Sequence, residues 1–333
     1  MKKLLAVLLA AMMLFSLAAC GGNNATNGNT DDTTGATDDV VYNVGICQWV
    51  QHDALDQATL GFKDALVDIL GEDKVKFDEQ NASNDSTSCS TIINNFVSNK
   101  VDLIMANATP VLQTAAAATT EIPILGTSVT EYGVALEIDD FTGTVGGNIS
   151  GTSDLAPLDQ QAQMIIDLVP DAKNVGIIYC SAEANSVYQV KVVKGYLEGK
   201  GIKVTEYPFS DSNDISAVTN AACETSDAIY IPTDNAAASS TGVIDGICRP
   251  AKIPVIAGEA GICGGCGIAT LSISYYKLGY KTGEMAAKVL TGEADISEMA
   301  IEYDEDVVKK YNAEICKELG MTMPEDYVAL DAE

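Results

Sequence analysis

At six places in the chain, hydroxyl, amide and carboxyl side chains stand directly after a short apolar run. Gln48, Trp49, Gln51, His52 and Asp53 follow the first run, Thr109 and Pro110 another, and Thr127, Ser128 and Thr130 a third. In the second half the groups are Ser181, Glu183, Asn185 and Ser186, then Thr233, Asp234 and Asn235, then Gly258 and Glu259. Their chemistry is that of holding a small polar molecule. Main-chain amides and hydroxyls at a helix start bind a carboxylate, and a carboxylate at a strand end meets an ammonium group. Asp234, after the strand-like AIYIP, is placed for the second task, although the same position suits a helix cap. Trp49, the single Trp, and Tyr275 with Tyr276 offer flat apolar walls.

Catalytic patterns are missing from the same positions. No phosphate loop of the form GxxxxGK[ST], no GxGxxG and no GxSxG elbow occurs, and the single His52 would have to serve any Ser-His-Asp triad. Cys263 and Cys266 form a CxxC without a partner pair, so they supply two of the four ligands a zinc site needs. They lie in GICGGCG, which reads as a glycine-rich turn carrying a loop disulfide or two free thiols. Neither a metal nor a cofactor is expected. An enzyme of two similar lobes, such as a racemase, would need Cys thiols facing one cleft.

Charge narrows the field further. The 333 residues carry 47 acidic against 19 basic side chains, a net charge of −28, so a nucleic-acid surface has almost no material. At 47% hydrophobic residues the chain nevertheless buries a large core. Arg249, the single Arg, lies beside Pro250 at a predicted helix end. A carboxylate ligand must therefore rely on helix ends and hydroxyls rather than on a guanidinium clamp.

The elements that position these loops follow from periodicity. Strand-like runs at 41–50, 75–82, 101–108 and 122–129 alternate with helix-like stretches near 54–70, 86–99 and 110–119. A second set at 174–180, 202–210, 227–235 and 253–260 alternates with helices near 183–200, 213–224 and 236–249. Such alternation specifies parallel sheets with right-handed crossovers, the α/β class with two doubly wound lobes. VGIC begins at Val44 and IPIL at Ile122, VGII at Val175 and IPVI at Ile253, the same separation of 78 residues in each half. A duplicated lobe explains this. Ligands of doubly wound sheets sit beyond the carboxyl ends of the strands, so facing lobes bring all six loops to one cleft.

The N-terminus has a separate role. Lys2 and Lys3 precede an apolar run to residue 15, and Leu17-Ala18-Ala19-Cys20 resembles the lipobox of bacterial lipoproteins. Residues 1–19 are then a signal peptide, Cys20 carries acyl chains that hold the protein at the membrane, and residues 20–40, rich in Gly, Asn, Thr and Asp, form a flexible tether.

The segments GICQWVQHDALDQATLGFKDAL, VDLIMANATP, SGTSDL, IIYCSAEANSVYQV, AIYIPTDNAAAS and SISYYKLGYKTGEMAAKVL together resemble the ABC-transporter substrate-binding lipoproteins of the tryptophan/tyrosine-binding type, from about Val41 to about Gly320. The resemblance implies a type I periplasmic-binding-protein fold, two lobes joined by three crossings that close over a ligand. It implies crossings near 150–154, 272–276 and 295. The lobes are then 41–149 with 273–294, and 150–272 with 295–333. It further implies an aromatic amino acid as ligand, a permease and ATPase complex as partners, and a place on the outer face of the cytoplasmic membrane. Carried over by position, Thr109, Ser128 and the loop from Ser181 to Ser186 would hold the carboxylate and Asp234 the ammonium, with Glu183 and Asn185 of that loop among the ligand-binding residues, while Gln48, Trp49 and Tyr275 shape the side-chain pocket. The departures are Asp53, where the family usually has Pro, and the Cys-rich 261–267 loop. A lobe pair that senses a ligand for a membrane receptor shares this fold, and a nucleoside or an aliphatic amino acid would fit the same kind of cleft.

Overall fold

The computed structural model describes residues 40–304 and 306–330; the signal peptide, Cys20 and nearly all of the tether lie outside them. The first lobe runs β1 (Tyr42–Gln48), α1 (Asp53–Leu70), β2 (Val75–Asn81), α2 (Ser86–Asn99), β3 (Leu103–Asn107), α3 (Thr109–Ala118), β4 (Ile124–Val129), α4 (Tyr132–Ala135) and β5 (Ile149–Ser153). The second runs α5 (Leu158–Leu168), β6 (Asn174–Cys180), α6 (Ala184–Gly199), β7 (Lys203–Phe209), α7 (Ile215–Thr225), β8 (Ala228–Ile231), α8 (Asn235–Ala238), α9 (Thr241–Ala251), β9 (Val255–Ala257), α10 (Ala260–Cys266) and β10 (Ala269–Ser272). The chain ends with α11 (Tyr275–Leu290), β11 (Glu302–Tyr303), β12 (Val308–Tyr311), α12 (Ala313–Leu319) and β13 (Val328–Ala329).

The repeat read from the sequence is a repeat of topology. One sheet has the order β2-β1-β3-β4-β5-β11, the other β7-β6-β8-β9-β10-β12-β13. Their first five strands correspond one to one and pair in parallel. The central strands β3, β4 and β8 are buried at every position, because helices cover both faces of a parallel sheet.

Three passages join the sheets: β5 to α5, β10 to α11, and β11 to β12. Helix α11 packs along α1, and the close approach depends on glycine. A Cβ at Gly279 would stand 2.0 Å from the Ala58 carbonyl oxygen, and one at Gly61 would stand 2.1 Å from that of Tyr276. The third passage comes later than the sequence reading placed it. Residues 295–303 still belong to the first lobe, because β11 pairs with β5, and the chain changes sheet between Tyr303 and Val308. β11 has two residues, too short to announce itself by alternation.

Two local expectations also change. GICGGCG is not a turn but most of helix α10, whose first amides Gly261 N and Ile262 N donate to the Glu259 carboxylate. Its glycines serve packing: a Cβ on Gly265 would collide with the Thr241 side chain of α9. Cys263 and Cys266 are free and buried within the helix. The helix expected at 236–249 is broken into α8 and α9.

Candidate functional site

The loops at the carboxyl ends of the strands enclose a small cavity between the lobes. Its lining includes His52, Ser128, Asp154, Asn185, Glu259 and Tyr275, with Thr130, Thr233, Asp234 and Asn235 completing the polar wall. The free space is about 10 Å³, roughly one water molecule. A larger cleft of about 740 Å³ is bordered by Trp49, Asp85, Gln113, Cys180, Ala182 and Glu183 among others.

The second lobe's wall is tightly hydrogen-bonded. Asp234 begins α8 as its cap: its Oδ1 accepts from Ala237 N at 2.8 Å and its Oδ2 from Cys180 N at 2.6 Å. Glu183, from the loop before α6, accepts from Asn235 Nδ2 at 2.6 Å, Asn235 N at 3.1 Å and Ala236 N at 3.0 Å. Gln189 fixes the Thr233 turn by receiving Thr233 N and donating to Thr233 O, both at 3.0 Å. Asn185 Nδ2 donates to the same carbonyl at 3.0 Å.

Asp154 enters from the first passage between the lobes, and Tyr275, at the start of α11 on the second, donates to its Oδ2 at 2.9 Å. Ser128 sits at an irregularity between β4 and β5 with φ 54°, a left-handed conformation that a serine seldom adopts and that concentrates at functional sites. His52 Nε2 lies 3.3 Å from Asn235 Oδ1 across the lobes. Asn235 uses its amide nitrogen on Glu183, so its oxygen faces His52, and the ring nitrogen facing it carries the proton.

Four buried polar atoms of this lining lack a hydrogen-bond partner: His52 Nδ1, Ser128 Oγ, Asp154 Oδ1 and Asn185 Oδ1. Buried polar groups are nearly always paired, because desolvation without a bond is costly, so four at one cavity mark a place built for something else. Burial keeps His52 below the ordinary histidine range, hence neutral, and with Nε2 protonated its Nδ1 is an acceptor. Three of the four are therefore acceptors, and the Ser128 hydroxyl can act either way.

The electrostatics agree. None of the lining residues is Lys or Arg, whereas three are carboxylic acids. Burial raises the carboxyl of Asp154 despite the Tyr275 hydrogen bond. It pushes Glu259 up to about 7, with Asp53 and Asp154 contributing by repulsion and the α10 amides opposing. Burial and the neighbouring Asp234 likewise raise Glu183. Amides for an anionic group remain at helix starts near the cavity and cleft: α1, α3 and α6 have no side-chain cap.

Of the residues singled out in the sequence, Ser128, Asn185, Asp234 and Tyr275 line the cavity, and Trp49 and Glu183 border the cleft. Four line neither. Gln48 is committed inside the first lobe, donating to Asp56 at 2.7 Å and accepting from Thr59 at 2.7 Å. Thr109 is buried in the first turn of α3. Ser181 donates to Phe209 O at 3.1 Å, and Ser186 lies fully buried against Asp234. Asp154 escaped the sequence reading, which treated SGTSD only as a crossing; a lone acid just after a buried hydroxyl-rich strand was the available signal. His52 and Glu259 were noticed in loops but given no role.

Cys180 is the one thiol bordering the cleft, and burial pushes it up to about 12. A two-thiol catalytic arrangement is not assembled among the described residues of the cleft. Nor do the described residues hold a group of three or more side chains that could bind a metal, or a helix long and apolar enough to cross a membrane.

Residues 43–333 match the family model described as ABC transporter substrate binding protein. The chain is 37% identical over 300 residues to a tyrosine-binding protein of Clostridioides difficile strain R20291, covering 88% of this chain and 85% of that one. A Streptococcus pneumonia ABC domain solved in complex with L-Trp superposes with a TM-score of 0.81 at 31% identity, over 86% of this chain and 96% of that one. The ligand-free, open structure of a substrate-binding protein with adhesive properties from Clostridium difficile gives 0.67 at 38% identity, over 88% of this chain and all of that one. The more similar sequence thus has the less similar shape. The lobes described here stand nearer the arrangement of the L-Trp complex than that of the open form.

Proposed function

The chain belongs to the ABC transporter substrate-binding proteins, a family of solute-binding proteins rather than enzymes that work outside the cytoplasm, and from that premise we propose that it captures an aromatic α-amino acid between its lobes. The observation that carries the ligand assignment is the trio of unpartnered acceptors, His52 Nδ1, Asp154 Oδ1 and Asn185 Oδ1, on one small cavity. An ammonium group has three N–H donors and a positive charge, and both match. Asp154 is the acid with an oxygen to offer, since Asp234 uses both of its own on main-chain amides. The ligand carboxylate lies at Ser128 and the uncapped start of α1 or α6, and the ring lies against Tyr275 and towards Trp49. Similarity to proteins described with tyrosine and L-Trp supports the aromatic side chain.

Capture proceeds by closure. The enclosed cavity is far smaller than an amino acid, so the ligand enters an open form, bridges both lobes and shifts the population towards a closed state around it. Micromolar affinity corresponds to about −8 kcal/mol, within reach of one buried ring and a few charge-assisted hydrogen bonds. Delivery to a membrane permease follows, with the protein held nearby through acyl chains on Cys20; the Leu-Ala-Ala-Cys motif supports the anchor. Protein unfolded to strip carried ligand, refolded and titrated calorimetrically should bind tryptophan, tyrosine or phenylalanine. Heat from none of them would sink the ligand assignment, and mass spectrometry of the molecule retained on purification identifies what binds instead.

A further inference from the structure

The eight described cysteines are all free, and two of them stand face to face away from the ligand cavity. Cys223, near the end of α7, and Cys248, near the end of α9, have their sulfur atoms 3.6 Å apart. The two differ in access. Cys248 is 2% exposed, inside the core shared with Ala236, Ala237 and Ile262, whereas Cys223 is half-buried at the edge of that core. A second pair, Cys47 and Cys89, is also hydrogen-bonded, but both members are completely buried under the first lobe's helices.

We propose that Cys223 and Cys248 form a redox-active pair that closes to a disulfide across α7 and α9 on reaction with a low-molecular-weight disulfide, with Cys223 as the attacking and Cys248 as the resolving thiol. At 3.6 Å the two sulfurs stand about 1.6 Å beyond disulfide bonding distance. The hydrogen bond from Cys248 also favours the thiolate of Cys223, the form that attacks. In the first step the Cys223 thiolate bonds to one sulfur of oxidised glutathione, and the other leaves as a glutathione thiol after taking up a proton. Cys248 then loses its proton and attacks the Cys223 sulfur, expelling the second glutathione thiol. Two protein S–H groups are oxidised and one external S–S is reduced, with no other reagent. Family members work outside the cytoplasm, where such bonds persist. The cross-link would tie together the core beneath α8 and α10, whose starts Asp234 and Glu259 cap at the cavity.

The test treats the native full-length protein, in detergent, with oxidised glutathione, then denatures and alkylates it. Two fewer alkylated thiols than in untreated protein are expected. Cleavage after Glu224 separates the two cysteines, so the product should appear as two peptides joined through Cys223 and Cys248. The bridged protein should also have a higher thermal midpoint than its reduced form. Cys248→Ser should halt at a glutathione adduct on Cys223, and Cys223→Ser should abolish the reaction. An unchanged thiol count, a stable adduct on wild-type Cys223, or a bridge between Cys47 and Cys89 instead would each overturn the proposal.

Discussion

His52 of the first lobe and Asn235 of the second meet across the cleft, ring Nε2 to amide Oδ1, at 3.3 Å. Each is held from behind. Asn235 is clamped by Glu183, and His52 is the N-cap residue of α1. The bond therefore exists only while the lobes are together, and the other face of the same ring is turned to the cavity. His52→Ala removes a closing contact and a proposed ammonium acceptor at once. Each is a hydrogen bond of about 1 kcal/mol, so the dissociation constant should rise roughly thirtyfold. Small-angle scattering should show a more open unliganded form, and identical scattering and affinity would leave His52 without this role.

Asp154 and Asp234 are both buried acids at the cavity, yet they should respond oppositely. Asp154→Asn removes the charge facing the ligand's ammonium and should cost about 3 kcal/mol of binding, more than a hundredfold in affinity. It should leave the unliganded protein as stable or more so, because a buried ionisable group with no cation beside it is gone. Asp234→Ala takes away the cap of α8 and the acceptor for Cys180 N, so about 1–3 kcal/mol of folding stability should be lost in urea. The reverse pattern would exchange their roles.

Acidity should stabilise the unliganded protein. Glu259 is raised from 4.5 to about 7 by burial, and Asp154 is raised as well, so the folded state holds protons that the unfolded chain has released. The contribution of Glu259 is then fully present below about 4.5 and is lost as pH rises to about 7, while His52, held neutral by burial, works against it in acid. An ammonium docked beside Asp154 favours the ionised carboxyl, so ligand binding should release protons wherever the unliganded carboxyl is still protonated. Calorimetry in buffers of different ionisation enthalpy measures them, and a proton count of zero would contradict the proposed contact.

Gly279→Ala tests the seam between α1 and α11. Its Cβ would meet the Ala58 carbonyl oxygen, a main-chain atom that cannot swing aside. The helices must part, at a cost of about 1–3 kcal/mol, readable as a lower urea midpoint. A neutral substitution would mean that the pair tolerates a wider separation than described.

The strands and most helices were legible in the sequence because doubly wound sheets write continuous apolar runs and amphipathic stretches into the chain. The spacing of 78 residues between VGIC and IPIL, repeated between VGII and IPVI, already stated that two lobes share one plan. α10 was not legible. Its glycines and cysteines describe a turn by composition, and only the packing of Gly265 against Thr241 and the cap from Glu259 make them a helix.

By itself the sequence determined which side chains the loops offer. A chain whose one Arg lies at a helix end, and whose strands are followed by small polar loops, has amides, hydroxyls, carboxylates and one imidazole with which to hold a molecule. Which carboxylate is left free to do so was decided only in three dimensions. Asp234 and Asp154 look alike in sequence, each following a buried strand. Folding spends both oxygens of Asp234 on the amides of Cys180 and Ala237, and leaves one oxygen of Asp154 facing the cavity unpaired. Hydrogen-bond satisfaction is a property of neighbours brought from distant parts of the chain, and no local spacing encodes it.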